Sequence, residues 1–219
     1  MRSIKFKTGN KLSQASIIYW RVTQLTFWII ALIIIFFLFY SPKVGLNLLW
    51  NVLIPIAPAL WVVAVGFWRN VCPLATTSLF ARHMKLSKRK KITLSQKEKL
   101  NTLAIILLFL IIPLRHLIFN VNGVAIGLLL IFIGLISFIS GFFFEWKSFW
   151  CSGLCPVHQV EKLYGNKNYM SFPNAHCDQC QHCVMPCPDS TPGITPYNSN
   201  RSFYEKISGF FMVGAFPGF

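Results

Sequence analysis

The sequence predicts an all-α integral membrane protein of four transmembrane helices, or five if its apolar tail begins another, carrying a small cysteine-rich domain on the cytoplasmic side. Three observations predict this. Of the 219 residues, 54% are hydrophobic and 12% charged, with mean hydropathy +0.54, a balance that points to a membrane rather than a soluble chain. Four uncharged apolar stretches each approach the roughly twenty residues a helix needs to cross a bilayer core. Of the 21 Lys and Arg, all but Lys43 and Arg115 fall in segments that four crossings would place on one side.

Residues 1–23 form a basic N-terminal segment with Arg2, Lys5, Lys7, Lys11 and Arg21. Residues 24–40 are almost wholly apolar and give the first span; no secretory signal with a small-residue cleavage site precedes it. Ser41-Pro42-Lys43-Val44-Gly45 reads as a turn. Leu48 to Phe67 is the second span, with Pro55 and Pro58 predicting a kink that neighbouring helices can tolerate. Residues 69–99 read as a basic cytoplasmic loop carrying the Lys88–Lys91 run. Leu100 to Phe119 is the third span, and Arg115 and His116 near its outer end read as side chains reaching for the interface. After Asn120-Val-Asn-Gly123 comes the fourth span, Val124 to Phe144. Its Gly127, Gly134 and Gly141 lie seven apart, near one face, which suits close helix packing. The four-helix region thus covers 24–144, a cytoplasmic domain 145–200, and residues 201–219 are an apolar tail that reads either as a short membrane-surface segment or as the start of a further membrane segment.

The net charge of +15 would suggest nucleic acid in a soluble protein. Here its asymmetry is a topology signal, so no nucleic-acid partner is expected, while anionic lipid headgroups are. The asymmetry places the N-terminus and the cysteine-rich domain in the cytoplasm, where thiols are kept reduced and structural disulfides are not expected.

Within that domain runs Cys177-Asp-Gln-Cys180-Gln-His-Cys183-Val-Met-Pro-Cys187-Pro188. Three thiols at two-residue gaps, then a fourth after three residues and followed by proline, is the bacterial ferredoxin spacing of a [4Fe-4S] cluster. Thiols so spaced let one short loop wrap three corners of a cubane. Zinc sites instead separate their cysteines into two pairs. Cys177, Cys180, Cys183 and Cys187 are therefore the expected cluster ligands. His176 and His182 flank them and could donate hydrogen bonds to sulfur.

Three further cysteines sit at the membrane edge. Asn70-Val-Cys72-Pro73 follows the second span, and Cys151-Ser-Gly-Leu-Cys155-Pro156 follows the fourth. The two look like copies of one unit of two spans and a Cys-Pro turn, with Trp68 standing where the second copy has Cys151. Seven cysteines are one short of two all-cysteine cubanes. Three arrangements are open: one cluster on Cys177, Cys180, Cys183 and Cys187; exchange of Cys155 for Cys187 as fourth ligand, leaving Cys187, Cys151 and Cys72 for another centre; or a second cluster on Cys72, Cys151, Cys155 and a non-cysteine or partner ligand such as His158.

These motifs resemble those of the membrane-bound polyferredoxins. That group includes the quinol-dehydrogenase membrane subunit of periplasmic nitrate reductase systems, the electron-donating membrane protein of nitrous-oxide reduction and an accessory protein of cytochrome oxidase assembly. The matching residues are Trp150-Cys151-Ser-Gly-Leu-Cys155-Pro156 and the Cys177–Pro188 run, within roughly residues 48–190. The resemblance implies a multi-pass protein of the bacterial cytoplasmic membrane that passes single electrons through [4Fe-4S] clusters. The donor would be membrane- or quinol-linked, so a quinone is an implied cofactor, and the acceptor a partner redox subunit. Such a chain is an electron-transfer subunit rather than a stand-alone catalyst, and no catalytic residues are expected. The alternative is a structural, assembly or redox-sensing subunit of a larger respiratory membrane complex. It draws on the chain's single complete ferredoxin motif and on the reduction of the first Cys-x3-Cys-Pro to Cys72-Pro73.

Overall fold

The computed structural model describes residues 12–145, 147–164 and 202–215. Among these there is no β-strand, only a single backbone bridge between Lys90 and Phe144. Four helical stretches are long and apolar enough to cross a membrane: Gln14–Tyr40, Pro42–Ala64, Ser95–Phe119 and Gly123–Phe143. Their outward faces are apolar, with Phe36, Leu110, Phe132 and Ile139 all exposed. Each such side chain would cost about 1.5–3 kcal/mol to leave in water, so lipid is the solvent these faces suit.

Helix α1 (Gln14–Tyr40) starts ten residues before the predicted span, because Ser13 caps it by accepting from the Ser16 amide at 3.2 Å. It stops at Ser41, and Pro42 opens the next helix, α2 (Pro42–Asn47), as its first residue. The turn predicted over Ser41–Gly45 is thus confined to Ser41. Gly45 makes this tight return workable: a Cβ there would meet the Leu38 backbone at 2.5 Å. A π-helical turn, Leu48–Leu53, leads into α3 (Ile54–Val71). Helix α3 does break, but at Ala64 (φ −152°, ψ 65°), six residues beyond Pro58 and so on the far side from the turn a proline disturbs.

The basic segment 69–99 is not a plain loop. Cys72 ends α3, Pro73 starts α4 (Pro73–His83), and Ala75, Ser78, Leu79 and Ala81 along it are buried. This helix lies against the last turns of α6 (Gly123–Phe143): the Ser137 hydroxyl donates to the Leu74 carbonyl at 2.9 Å. On its other side the Trp28 indole donates to Thr77 Oγ1 at 3.0 Å. After α4, Lys88 and Lys90 donate backbone N–H groups to Phe142 and Phe143, strapping the basic run to the end of α6. Glu145 accepts from Arg82 (3.4 Å) and Arg89 (3.2 Å), answering part of that charge.

Helix α5 (Leu94–Leu114) opens on a full capping box between Thr93 and Gln96 and ends in a π-helical turn, Arg115–Phe119. Arg115 lies over the Trp50 ring at 4.3 Å and His116 is exposed. The glycines spaced seven apart on α6 do not share one role. A Cβ on Gly141 would run into the Ser78 carbonyl oxygen of α4, and one on Gly127 would meet the Phe39 ring of α1 at 2.8 Å, while Gly134 faces open space. The expected common packing face therefore holds for two of the three. Past α6, a π-helical segment (Lys147–Leu154) runs into α7 (Pro156–Tyr164), and α8 (Phe203–Phe210) continues as a last π turn, Phe211–Ala215.

Candidate functional site

The run from Cys177 to Pro188 lies outside the described residues, but both ends of the segment that carries it are placed. The chain leaves through α7 and returns through α8, and both helices pack against α5. Ser202 caps α8 by accepting from the Glu205 amide. Helix α8 then runs beside α5 in the same direction. The Lys99 ammonium sits over the Tyr204 ring at 5.9 Å, Thr102 and Ser208 hydroxyls meet at 3.0 Å, and the rings of Phe109 and Phe211 at 5.3 Å.

The three remaining cysteines are brought together. Cys72 and Cys151 pack on the same buried pair, Ala75 and Leu79 of α4. Cys155 is buried, the other two half-buried, and each thiol lies within electrostatic reach of the other two. The two Cys-Pro units fold alike. In each the cysteine precedes a proline that is the first residue of a helix, α4 or α7. The amides of Leu74 and Ala75 bear on Cys72 and those of Val157 and His158 on Cys155, in each case favouring the thiolate, though Cys72 forms no capping hydrogen bond. The units differ just upstream. The Cys72 amide bonds the Trp68 carbonyl four residues back, whereas the Cys155 amide bonds Trp150 five back, through the π turn that holds Cys151.

Beside the thiols lies an ion network that sequence patterns did not reveal. Arg69, three residues before Cys72, donates through Nε to Oε1 of Glu161, six residues after Cys155. His158 Nδ1 stands 3.1 Å from Oε2 of the same carboxylate. All three side chains are largely buried, with Glu161 at 4% and His158 at 4% exposure. His158 was open as a cluster ligand from its sequence position; the structure engages its Nδ1 with Glu161. Burial acts to raise the Glu161 carboxyl, but Arg69 and His158 overcome it and hold it at about 2. The only signal for this in the sequence is that Glu161 is one of six acids in a strongly basic chain.

Burial raises all three thiols. Cys155 is pushed up to about 12 by burial and by Cys72, against the amides of His158 and Val157. Cys151 is raised well above its ordinary value by burial, then by Cys155, Cys72 and Glu161, with Arg69 opposing. Cys72 is raised by burial first, against the amides of Ala75 and Leu74. Left as free thiols, such groups stay protonated at neutral pH and react slowly. Their softness suits iron–sulfur clusters, zinc or copper(I). Among the described residues, no three Cys, His, Asp or Glu side chains are grouped to hold a single metal ion.

Compared with protein-family models, curated proteins and solved structures, the chain matches none of them.

Proposed function

We propose that this is a membrane-anchored iron–sulfur electron-transfer protein. It takes single electrons from a membrane- or quinol-linked donor and passes them to a partner redox subunit. The observation that carries this reading is the Cys177–Pro188 spacing, which suits a [4Fe-4S] cluster on Cys177, Cys180, Cys183 and Cys187. The packing of α7 and α8 on α5 supports it, because it anchors both flanks of the segment that carries this run to one candidate membrane helix. A [4Fe-4S] cluster held by these four thiols would supply one-electron chemistry between its 2+ and 1+ states, linking donor to acceptor. The resemblance to the membrane-bound polyferredoxins belongs with this proposal, as do a bacterial cytoplasmic membrane and a cytoplasmic N-terminus. In the test, Cys180→Ser should abolish the low-temperature EPR signal of that cluster in the anaerobically reduced protein. A variant that keeps the full wild-type spectrum would remove Cys180 from the ligand set and end the reading of this run.

A second reading is favoured by one observation, that Trp68 stands where a full Cys-x3-Cys-Pro would have its first thiol. A chain with one complete motif suits a structural, assembly or redox-sensing subunit of a larger respiratory complex. Stopped-flow mixing with a quinol analogue separates the two: cluster reduction at catalytic rates supports electron transfer, and a cluster that never changes state during turnover supports the structural role.

A further inference from the structure

We propose that Cys72, Cys151 and Cys155 are ligands of a second iron–sulfur centre at the membrane edge, separate from the one expected on the Cys177–Pro188 run. Three features of the fold lead there. The thiols come from distant parts of the chain, one from the α3–α4 junction and two from the segment before α7, yet Cys72 and Cys151 pack on the same Ala75–Leu79 pair and Cys155 lies within electrostatic reach of both. Two of them occupy the same place in the same local structure, a Cys-Pro start of a helix with two amides bearing on sulfur. That geometry suits a bound anionic thiolate, since helix N-termini favour negative charge. Finally, the Arg69–Glu161 pair ties the two Cys-Pro units to each other across 92 residues of chain.

A single zinc ion is the competing occupant, and it fits less well. Around zinc at about 2.3 Å, thiolates crowd one point in a tetrahedron. A cluster carries its irons apart, one thiolate to each, and so accepts a wider set. Three thiolates suffice for a three-iron cluster, or for a cubane whose fourth iron takes another ligand. An inert apolar role for all three cysteines is the other competitor; it leaves the repeated Cys-Pro geometry and the ion pair joining the two units as coincidences.

The test uses the full chain, purified anaerobically in detergent, with iron and acid-labile sulfide counted per chain. The combined Cys177→Ser, Cys180→Ser and Cys183→Ser variant should keep about three or four irons with matching sulfide. The combined Cys72→Ser, Cys151→Ser and Cys155→Ser variant should lose that same amount. Iron unchanged in the second variant overturns the proposal, as does zinc without sulfide in the first. Mössbauer spectra of the unmutated protein give a check free of folding effects: where Cys180→Ser has removed a cluster signal, iron beyond one cubane per chain in the unmutated protein supports the second centre, and iron for a single cubane overturns it. Failure of the Cys180→Ser test alone leaves this centre standing, because its ligands are counted separately.

Discussion

Glu161 is the residue on which the membrane-edge site depends most heavily. Its carboxylate is buried, answers the Arg69 guanidinium and meets His158 Nδ1 at 3.1 Å. Removing one partner of such a pair leaves the other charge buried and alone. Glu161→Gln should therefore destabilise the protein by about 3–5 kcal/mol, read as a lowered melting temperature in detergent. The pH dependence has a definite sign. With the carboxyl at about 2 in the folded protein and an ordinary value of 4.5, its contribution is complete above 4.5. It is lost as pH falls from there towards 2, and amounts to about 3 kcal/mol. Acid melts of the unmutated protein should show that loss, and Glu161→Gln should flatten it; parallel curves for the two would show that the pair contributes nothing. The cysteines of this site were legible in the sequence because Cys-Pro is a local pattern. The ion pair was not, since Arg69 and Glu161 are 92 residues apart and neither belongs to a motif.

At the scale of elements, the apolar runs gave the four spans because lipid imposes length and composition on any segment that crosses it. What they could not give was α4, whose mixed stretch Pro73–His83 sits in a segment that charge alone marks as a loop. Its helical start is set by Pro73 and its burial by α6, a tertiary contact with no local sign. The contact between α4 and α6 makes a paired prediction. Gly141→Ala would drive a Cβ into the Ser78 carbonyl, where backbone cannot yield as a side chain does, and should cost about 1–3 kcal/mol. Gly134→Ala meets nothing within 4 Å and should be neutral or stabilising by up to about 1 kcal/mol. Thermal melts of the two variants side by side are the measurement. Equal effects would mean that α4 does not lie against α6 as described. Spacing of seven put the three glycines on one helix face; which of them meets a neighbour is decided by where α1 and α4 happen to cross.

For the whole molecule, packing shows which segments lie together at one end of the bundle, and the charges predict which side that end faces. The end of α6 is strapped to the Lys88–Lys90 run, and Glu145 joins Arg82 and Arg89, so this basic segment and the chain leaving α6 lie together. α7 and α8 both rest on α5, whose N-terminal end follows that same basic segment. The opposite end of the bundle holds the Asn120–Gly123 turn, where Val121 is 74% exposed and Arg115 Nε donates to Asn120 Oδ1. The excess of Lys and Arg predicts that the α6–α7 end is cytoplasmic, as the proposed function requires. Reporter insertions test this directly. Alkaline phosphatase, which folds actively only outside the cytoplasm, should be active after Val121 and inactive after Lys91, and a cytoplasm-dependent fluorescent protein should show the reverse. The inverted pattern would carry both flanks of the Cys177–Pro188 run to the outer face, where oxidation of the thiols would compete with cluster assembly. Electron transfer through a cytoplasmic [4Fe-4S] cluster would then have to be abandoned, while the membrane-edge iron count would still report separately on Cys72, Cys151 and Cys155.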